Sequence, residues 1–185
     1  MFSPPPRMTY GDLDSDDRVD IGRLATWSVS SAKTGHGLEM LRDSNLDTYW
    51  QSDGPQPHLV NMQFEKKTPV QQLSFYYDVK QDESYTPLRI SIRAGTTFHN
   101  LKELMNTELE GITGWVNINL EDVPGSGRTP RVFLLQLVVL ANHLGGRDTH
   151  IRQLKLFSAR ESLQFTESEE FSFTSPLFHQ RSVLR

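Results

Sequence analysis

Between Ala25 and Phe157 the chain is a succession of short apolar or alternating runs separated by polar connections. The runs are Thr26 to Ser30, Leu59 to Phe64, Val70 to Asp78, Leu88 to Ala94, Trp115 to Leu120, Val132 to Ala141 and Ile151 to Phe157. Their lengths and their content of Val, Ile, Phe and Tyr are those of β-strands. Val116, Ile118 and Leu120 share one face while Asn117 and Asn119 share the other, and Ile90 and Ile92 oppose Ser91 and Arg93. Such strands are expected to be half buried, with the polar face in water. Phe133 to Leu140 is apolar at both parities apart from Gln136 and belongs in the centre of a sheet, covered on both sides. Helical spacing is confined to 37–43, through Leu38 and Leu41, and to 100–105. About seven or eight short strands with polar connections predict an all-β fold, an antiparallel sandwich or jelly roll with short helices.

The ends break this pattern. Residues 1–18 carry Pro4-Pro5-Pro6 and then Asp12, Asp14, Asp16 and Asp17, too little apolar surface to offset the entropy of ordering, which predicts a flexible arm. After Phe157 the runs give way to Ser, Glu and Gln, with Glu167, Glu169 and Glu170 ahead of Phe171-Ser172-Phe173. A length of 185 residues suits one domain plus tails, so the expected organisation is an arm at 1–18, one domain at 19–160 and a tail at 161–185. The closing Arg181-Ser182-Val183-Leu184-Arg185 sets a basic side chain and a carboxylate beside apolar groups. A groove can capture such an end, which otherwise reads as a frayed terminus.

The tails also account for the low mean hydropathy of −0.49. A net charge of −4, with Lys66-Lys67 the only adjacent lysine pair, provides no basic field, so nucleic acid is not an expected partner. The absence of cysteine excludes disulfides and thiolate metal sites and fits a reducing compartment. No run approaches the roughly 20 apolar residues of a membrane span, and the start, Met1 to Arg7, lacks the apolar core of a signal peptide. A nuclear and cytoplasmic location is therefore expected.

Candidate chemistry concentrates in Asn142-His143-Leu144-Gly145-Gly146-Arg147-Asp148-Thr149-His150, between two of the predicted strands. An ordinary connection needs one or two turn formers; this one gathers an amide, two imidazoles, a guanidinium, a carboxylate and a hydroxyl, and loops on a rigid frame commonly carry function. His143 and His150 have no His-x-x-x-His or Cys partner for zinc. Ser84, His150 and Asp148 lack the nucleophile elbow and oxyanion loop of a hydrolase, so no enzyme and no metal or other cofactor is expected.

A second block runs from Arg42-Asp43-Ser44-Asn45 through Asp47-Thr48-Tyr49-Trp50-Gln51-Ser52-Asp53-Gly54 to Pro57-His58-Leu59. It resembles the galactose-binding-like, or discoidin-like, sandwich. Trp50 supplies core surface and Asp43, Asn45 and Asp53 satisfy tight turns on one reading. A glycan site on an aromatic platform, or a calcium site using Asp43 and Asp47, is the functional alternative.

These segments, together with Trp27-Ser28-Val29-Ser30-Ser31, Asp82-Glu83-Ser84-Tyr85-Thr86-Pro87 and Gly146-Arg147-Asp148-Thr149-His150-Ile151-Arg152-Gln153, resemble the DOC domain across roughly residues 20–158. More narrowly, the chain resembles the DOC-domain subunits of the anaphase-promoting complex. It implies a jelly roll that acts as a non-catalytic substrate receptor in a cell-cycle ubiquitin ligase, alongside scaffold and catalytic-module subunits. It further implies that Ser84, Tyr85, Asn142, His143, Arg147, Asp148 and His150 flank the destruction box of substrates, shared with a propeller coactivator. Asn142 and Asp148 would accept peptide N–H groups, and Arg147 would hold carbonyls or orient Asp148. The family typically ends in Ile-Arg, docked on a tetratricopeptide-repeat subunit; here Leu184-Arg185 takes that place. A glycan-binding module on the same sandwich is the rival reading.

Overall fold

The computed structural model describes residues 8–13, 17–121 and 129–160. Two five-stranded antiparallel sheets face one another. The first runs in the order β1 (Met8–Gly11), β9 (Thr113–Asn119), β6 (Gln72–Asp78), β12 (Gln153–Ala159) and β2 (Arg18–Asp20). The second runs β3 (Ala25–Val29), β5 (His58–Pro69), β10 (Arg131–Asn142), β7 (Pro87–Gly95) and β8 (Lys102–Glu108). A two-stranded ribbon of β4 (Trp50–Gln51) and β11 (His150–Ile151) closes one end. This is a jelly-roll sandwich, the architecture the short alternating runs predict.

The period-2 pattern decides what lies between the sheets. Val60, Met62 and Phe64 of β5, Leu135, Leu137 and Val139 of β10 and Ile90 and Ile92 of β7 meet Leu73, Phe75 and Tyr77 of β6 and Leu154 and Leu156 of β12. β10 occupies the centre of its sheet, as its unbroken apolar run requires. Trp50 is fully buried, and its indole N–H donates to the Ser31 carbonyl at 3.0 Å.

Four expectations are corrected. The 100–105 segment is no helix: Asn100 Oδ1 accepts from Thr96 N and Thr97 N, both at 2.9 Å, and the chain then enters β8. Pairing of Ile92 with Met105 and Ser91 with Asn106 outweighs a weak helical spacing. Within the expected arm, β1 pairs Met8 with Ile118 and Tyr10 with Val116, and Arg18 at the start of β2 pairs with Ala159. Four aspartates masked the short alternation Met8-Thr9-Tyr10, which a sheet edge can use. The polar face of β9 is also covered: Asn117 is buried, accepts from Ser74 Oγ at 2.8 Å and donates to the Asp12 carbonyl at 2.9 Å. At 37–43 the expected helix is reduced to a 3-10 turn, Leu38–Leu41, that buries Leu41.

Replacing Trp50 with Ala removes a fully buried indole and leaves the Ser31 carbonyl unpaired. The expected loss of unfolding free energy is about 3–5 kcal/mol, read by urea denaturation.

Candidate functional site

Three segments meet at the end of the sandwich closed by the β4–β11 ribbon. The first follows β6, where Asp78 caps α1 (Val79–Asp82) by accepting from Lys80 N at 3.0 Å and Gln81 N at 3.2 Å. The chain then reverses through Glu83, whose φ is 45°, into a 3-10 turn at Glu83–Tyr85. The second is the 142–150 loop, and the third is the 31–57 stretch that carries β4.

α1 delivers Asp82 to a buried position, where its carboxylate takes both polar edges of Arg152: Oδ2 accepts from Nε at 3.0 Å and Oδ1 from Nη2 at 2.8 Å. His150 Nδ1 lies 3.0 Å from the same Oδ1. A carboxylate held low can only accept, so Nδ1 carries the proton and donates. Burial opposes ionisation of Asp82, yet the bonds from His150 and Arg152 and their charges hold its carboxyl below the usual aspartate range. Burial likewise opposes the charge on Arg152, and Asp82 overrides it, raising the guanidinium. Arg152 reaches further: Nη1 donates to the Leu46 carbonyl at 2.9 Å, and its carbon lies 5.5 Å from the centre of the Tyr49 ring.

The His150 ring sits inside a four-ring stack. Its centroid is 4.1 Å from that of Tyr49 and 4.2 Å from that of Tyr85, and Tyr49 stacks in turn on His36 at 4.5 Å. The stack leads from His36 to Tyr85, whose ring is 39% exposed. Offset and tilted ring pairs of this kind each add roughly 0.5–1.5 kcal/mol beyond the area they bury.

The 142–150 loop is tied down at the carbonyls of Gly146 to Thr149. Asn142 Nδ2 donates to the carbonyls of Gly146 and Asp148 at 3.2 and 2.8 Å. His58 Nε2 donates to the Arg147 carbonyl at 2.7 Å, and Gln56 Nε2 to that of Gly146 at 3.0 Å. Thr149 and Ser52 exchange bonds, Thr149 N to Ser52 Oγ at 2.9 Å and Ser52 N to the Thr149 carbonyl at 3.1 Å. His143 N donates to the Thr86 carbonyl at 2.9 Å, joining the loop to the Glu83–Tyr85 turn. Gly146 permits that approach, because a Cβ there would lie 1.7 Å from the Ser84 carbonyl oxygen.

Ser84, Tyr85, Asn142, His143, Arg147, Asp148 and His150 therefore all lie at one end, but they do not play one role. Asn142 and His150 are buried and brace the loop, Asn142 donating inward through Nδ2 to the loop's own carbonyls. Arg147 is exposed, and among the described residues its guanidinium makes no bond to Asp148. Tyr85 and Arg147 face outward, as does Leu144, 88% exposed at a φ of 52°. His150 takes its carboxylate from Asp82 rather than Asp148, so the Ser84-His150-Asp148 arrangement does not form. Leu184 and Arg185 lie outside the described residues.

Sequence reasoning missed Asp82, Arg152, Tyr49 and His36. Arg152 was visible in principle, two residues beyond His150 and hence on its face of a strand. Nothing in the spacing tied Asp82 to a residue 70 positions away. Trp50 is closed off as a glycan platform by its burial. Of the two aspartates named for calcium, Asp43 forms a turn: its carboxylate accepts from Asn45 N at 2.9 Å, Thr48 Oγ1 at 2.6 Å and Gln153 Nε2 at 2.6 Å. No group of three or more potential metal ligands gathers among the described residues.

Because the folded Asp82 carboxyl is depressed, the stability it contributes is present above the ordinary aspartate value and is lost as pH falls through the lower, folded value. Asp82→Asn should cost about 3–5 kcal/mol at neutral pH by leaving Arg152 buried without its counter-charge. The variant should also flatten the acid limb of a stability-versus-pH curve measured by chemical denaturation.

A family model described as anaphase-promoting complex, subunit 10, matches residues 7–183. Anaphase-promoting complex subunit 10 of Homo sapiens is 53% identical over 158 residues, covering 85% of this chain and 84% of that protein. The Drosophila melanogaster protein of the same name is 47% identical over 167 residues, with coverage of 88% and 84%. Among solved structures, the family 32 CBM of C. perfringens NanJ in complex with galactose is similar at a TM-score of 0.63 and 12% identity, covering 76% of this chain and 99% of that one. At that identity the likeness is one of fold. The chain belongs to the anaphase-promoting complex subunit 10 family.

Proposed function

We propose that this chain is a non-catalytic substrate-recognition subunit of an anaphase-promoting complex, holding destruction-box peptides jointly with a propeller coactivator. The observation that carries the reading is the convergence of the Glu83–Tyr85 turn and the 142–150 loop into one braced surface, in a chain of this family. Tyr85 offers an amphipathic ring, Leu144 an apolar contact and Arg147 a guanidinium for peptide carbonyls or carboxylates. Buried bracing beneath them lowers the ordering entropy of binding.

A peptide shared by two weak surfaces is retained longer than either alone would hold it, and longer residence allows repeated ubiquitin transfer. The chain's role is retention, with the chemistry residing in other subunits of the ligase. Leu184 and Arg185 would anchor the subunit to a tetratricopeptide-repeat partner, with further contacts to scaffold and catalytic-module subunits. The location that goes with this role is nuclear and cytoplasmic.

Tyr85→Ala combined with Arg147→Ala removes outward side chains without touching the Asp82 cluster's bonds. Ubiquitin chains on a destruction-box substrate should shorten, and peptide affinity in the assembled ligase should fall about five-fold or more. Unchanged chain length would refute the assignment of this surface, and a saturable galactose titration abolished by Tyr85→Ala would replace it with the glycan reading. Deleting Leu184 and Arg185 should lower co-purification with the other subunits while leaving the thermal midpoint of the isolated chain unchanged.

A further inference from the structure

The outward face of the β3–β5–β10–β7–β8 sheet carries a polar row that the receptor role does not use. One residue from each strand stands in register: Ser28 opposite Asn61, Asn61 opposite Gln136, Gln136 opposite Arg93, and Arg93 opposite Glu103. Registered neighbours project to the same face, here the side away from Met62, Leu135, Leu137 and Ile92 of the core. Gln136 Nε2 donates to Asn61 Oδ1 at 2.7 Å, and Asn61 Nδ2 to Ser28 Oγ at 3.2 Å. The row floors a groove of about 650 Å³, walled by Leu59, Leu101, His99 and the half-exposed Phe98.

Two groups in the row are left over. Glu103 is already engaged, its Oε2 accepting from Ser91 Oγ at 2.7 Å and Asn106 Nδ2 at 3.3 Å. The Arg93 guanidinium has no hydrogen-bond or ion-pair partner among the described residues, and Gln136, 4% exposed, keeps its Oε1 as a spare acceptor. The groove thus asks for a carboxylate, a backbone N–H and an adjoining apolar ring.

The chain contains such a segment. Glu167-Ser168-Glu169-Glu170-Phe171-Ser172-Phe173, outside the described residues, sets three carboxylates against two aromatic rings. The body hands off its tail at the correct end: Gln71 N bonds the Phe157 carbonyl, Val70 N bonds the Pro130 carbonyl, and β10 starts at Arg131 and climbs to Gln136. The step from Arg160 to Glu169 spans roughly 30 Å when extended. The five-residue rise of β10 from Arg131 to Gln136 is only about 17 Å. We propose that the acidic–aromatic segment Glu167 to Phe173 docks in this groove, placing a carboxylate of Glu169-Glu170 on Arg93 and a Phe ring against Leu59, Leu101 and Phe98. Docking in cis raises the local concentration of the segment and shortens the tether that leads to residues 174–185.

The chain has no cysteine, so introduced pairs report proximity without background. In the full chain, His99→Cys with Ser172→Cys should form an intramolecular disulfide faster than Lys155→Cys with Ser172→Cys, which reports the same tail against the opposite sheet. Arg93→Glu should slow the first pair about five-fold, and Glu169→Arg with Glu170→Arg in the Arg93→Glu chain should restore it. Arg93→Gln, which keeps a polar side chain without the charge, should fall between. Equal rates for the two cysteine pairs, or a first pair indifferent to Arg93→Glu, would overturn the proposal. A disulfide found only between chains would overturn docking in cis and give the groove to a second copy.

Discussion

The packing beneath the end of the sandwich closed by the β4–β11 ribbon depends on one buried carboxylate. Asp82 lies where water cannot solvate it, and that arrangement is stable only because Arg152 closes on both oxygens and His150 adds a third bond. The three residues come from two segments that do not neighbour one another in sequence. Their meeting fixes α1 against the start of β12 and sets the plane of the His150 ring. Tyr49 and Tyr85 then have a flat surface on which to stack, and Tyr85 is turned outward as a consequence.

The loop above this cluster is stiff for a different reason. Its carbonyls at Gly146, Arg147, Asp148 and Thr149 are each met by a side chain or backbone donor from another segment, so it is an extension of the sheets rather than a free connection. Gly146 lets the loop approach the Ser84 carbonyl, and Leu144 in the left-handed region turns its side chain away from the body. A surface prepared in this way loses little freedom when a peptide settles on it, which suits a subunit whose task is to hold.

The two sheets treat their outward polar residues differently. On the first, Gln72, Ser74 and Asn117 bond to one another, and the carbonyl of Asp12 caps them, so the row is closed. On the second, the row from Ser28 to Glu103 includes the Arg93 guanidinium, which has no partner among the described residues, and opens into a groove. The same alternation of residue types yields a sealed layer in one place and a surface with free valence in the other. Which occurs depends on whether a further strand or segment crosses it.

The alternating runs from Thr26 to Phe157 were enough to establish an all-β sandwich and the central place of β10, because side-chain period and strand burial are local properties of a chain. The polar crowding of 142–150 singled out one loop for the same reason, whereas the Asp82-to-Pro87 block entered only through its resemblance to the DOC domain. Local pattern failed where pairing partners decide: β8 carried a weak helical spacing, β1 was hidden among aspartates, and Asn117 looked solvent-facing until the Asp12 segment crossed it. Nor did it show that Asn142 and His150 are buried, or that Asp82, Arg152, Tyr49 and His36 gather around His150. Sequence alone determined which segments could become strands and which loop gathered the most polar side chains. Only the tertiary structure decided which polar side chains face inward, because that depends on partners as far as 70 positions away along the chain, and no local spacing encodes them.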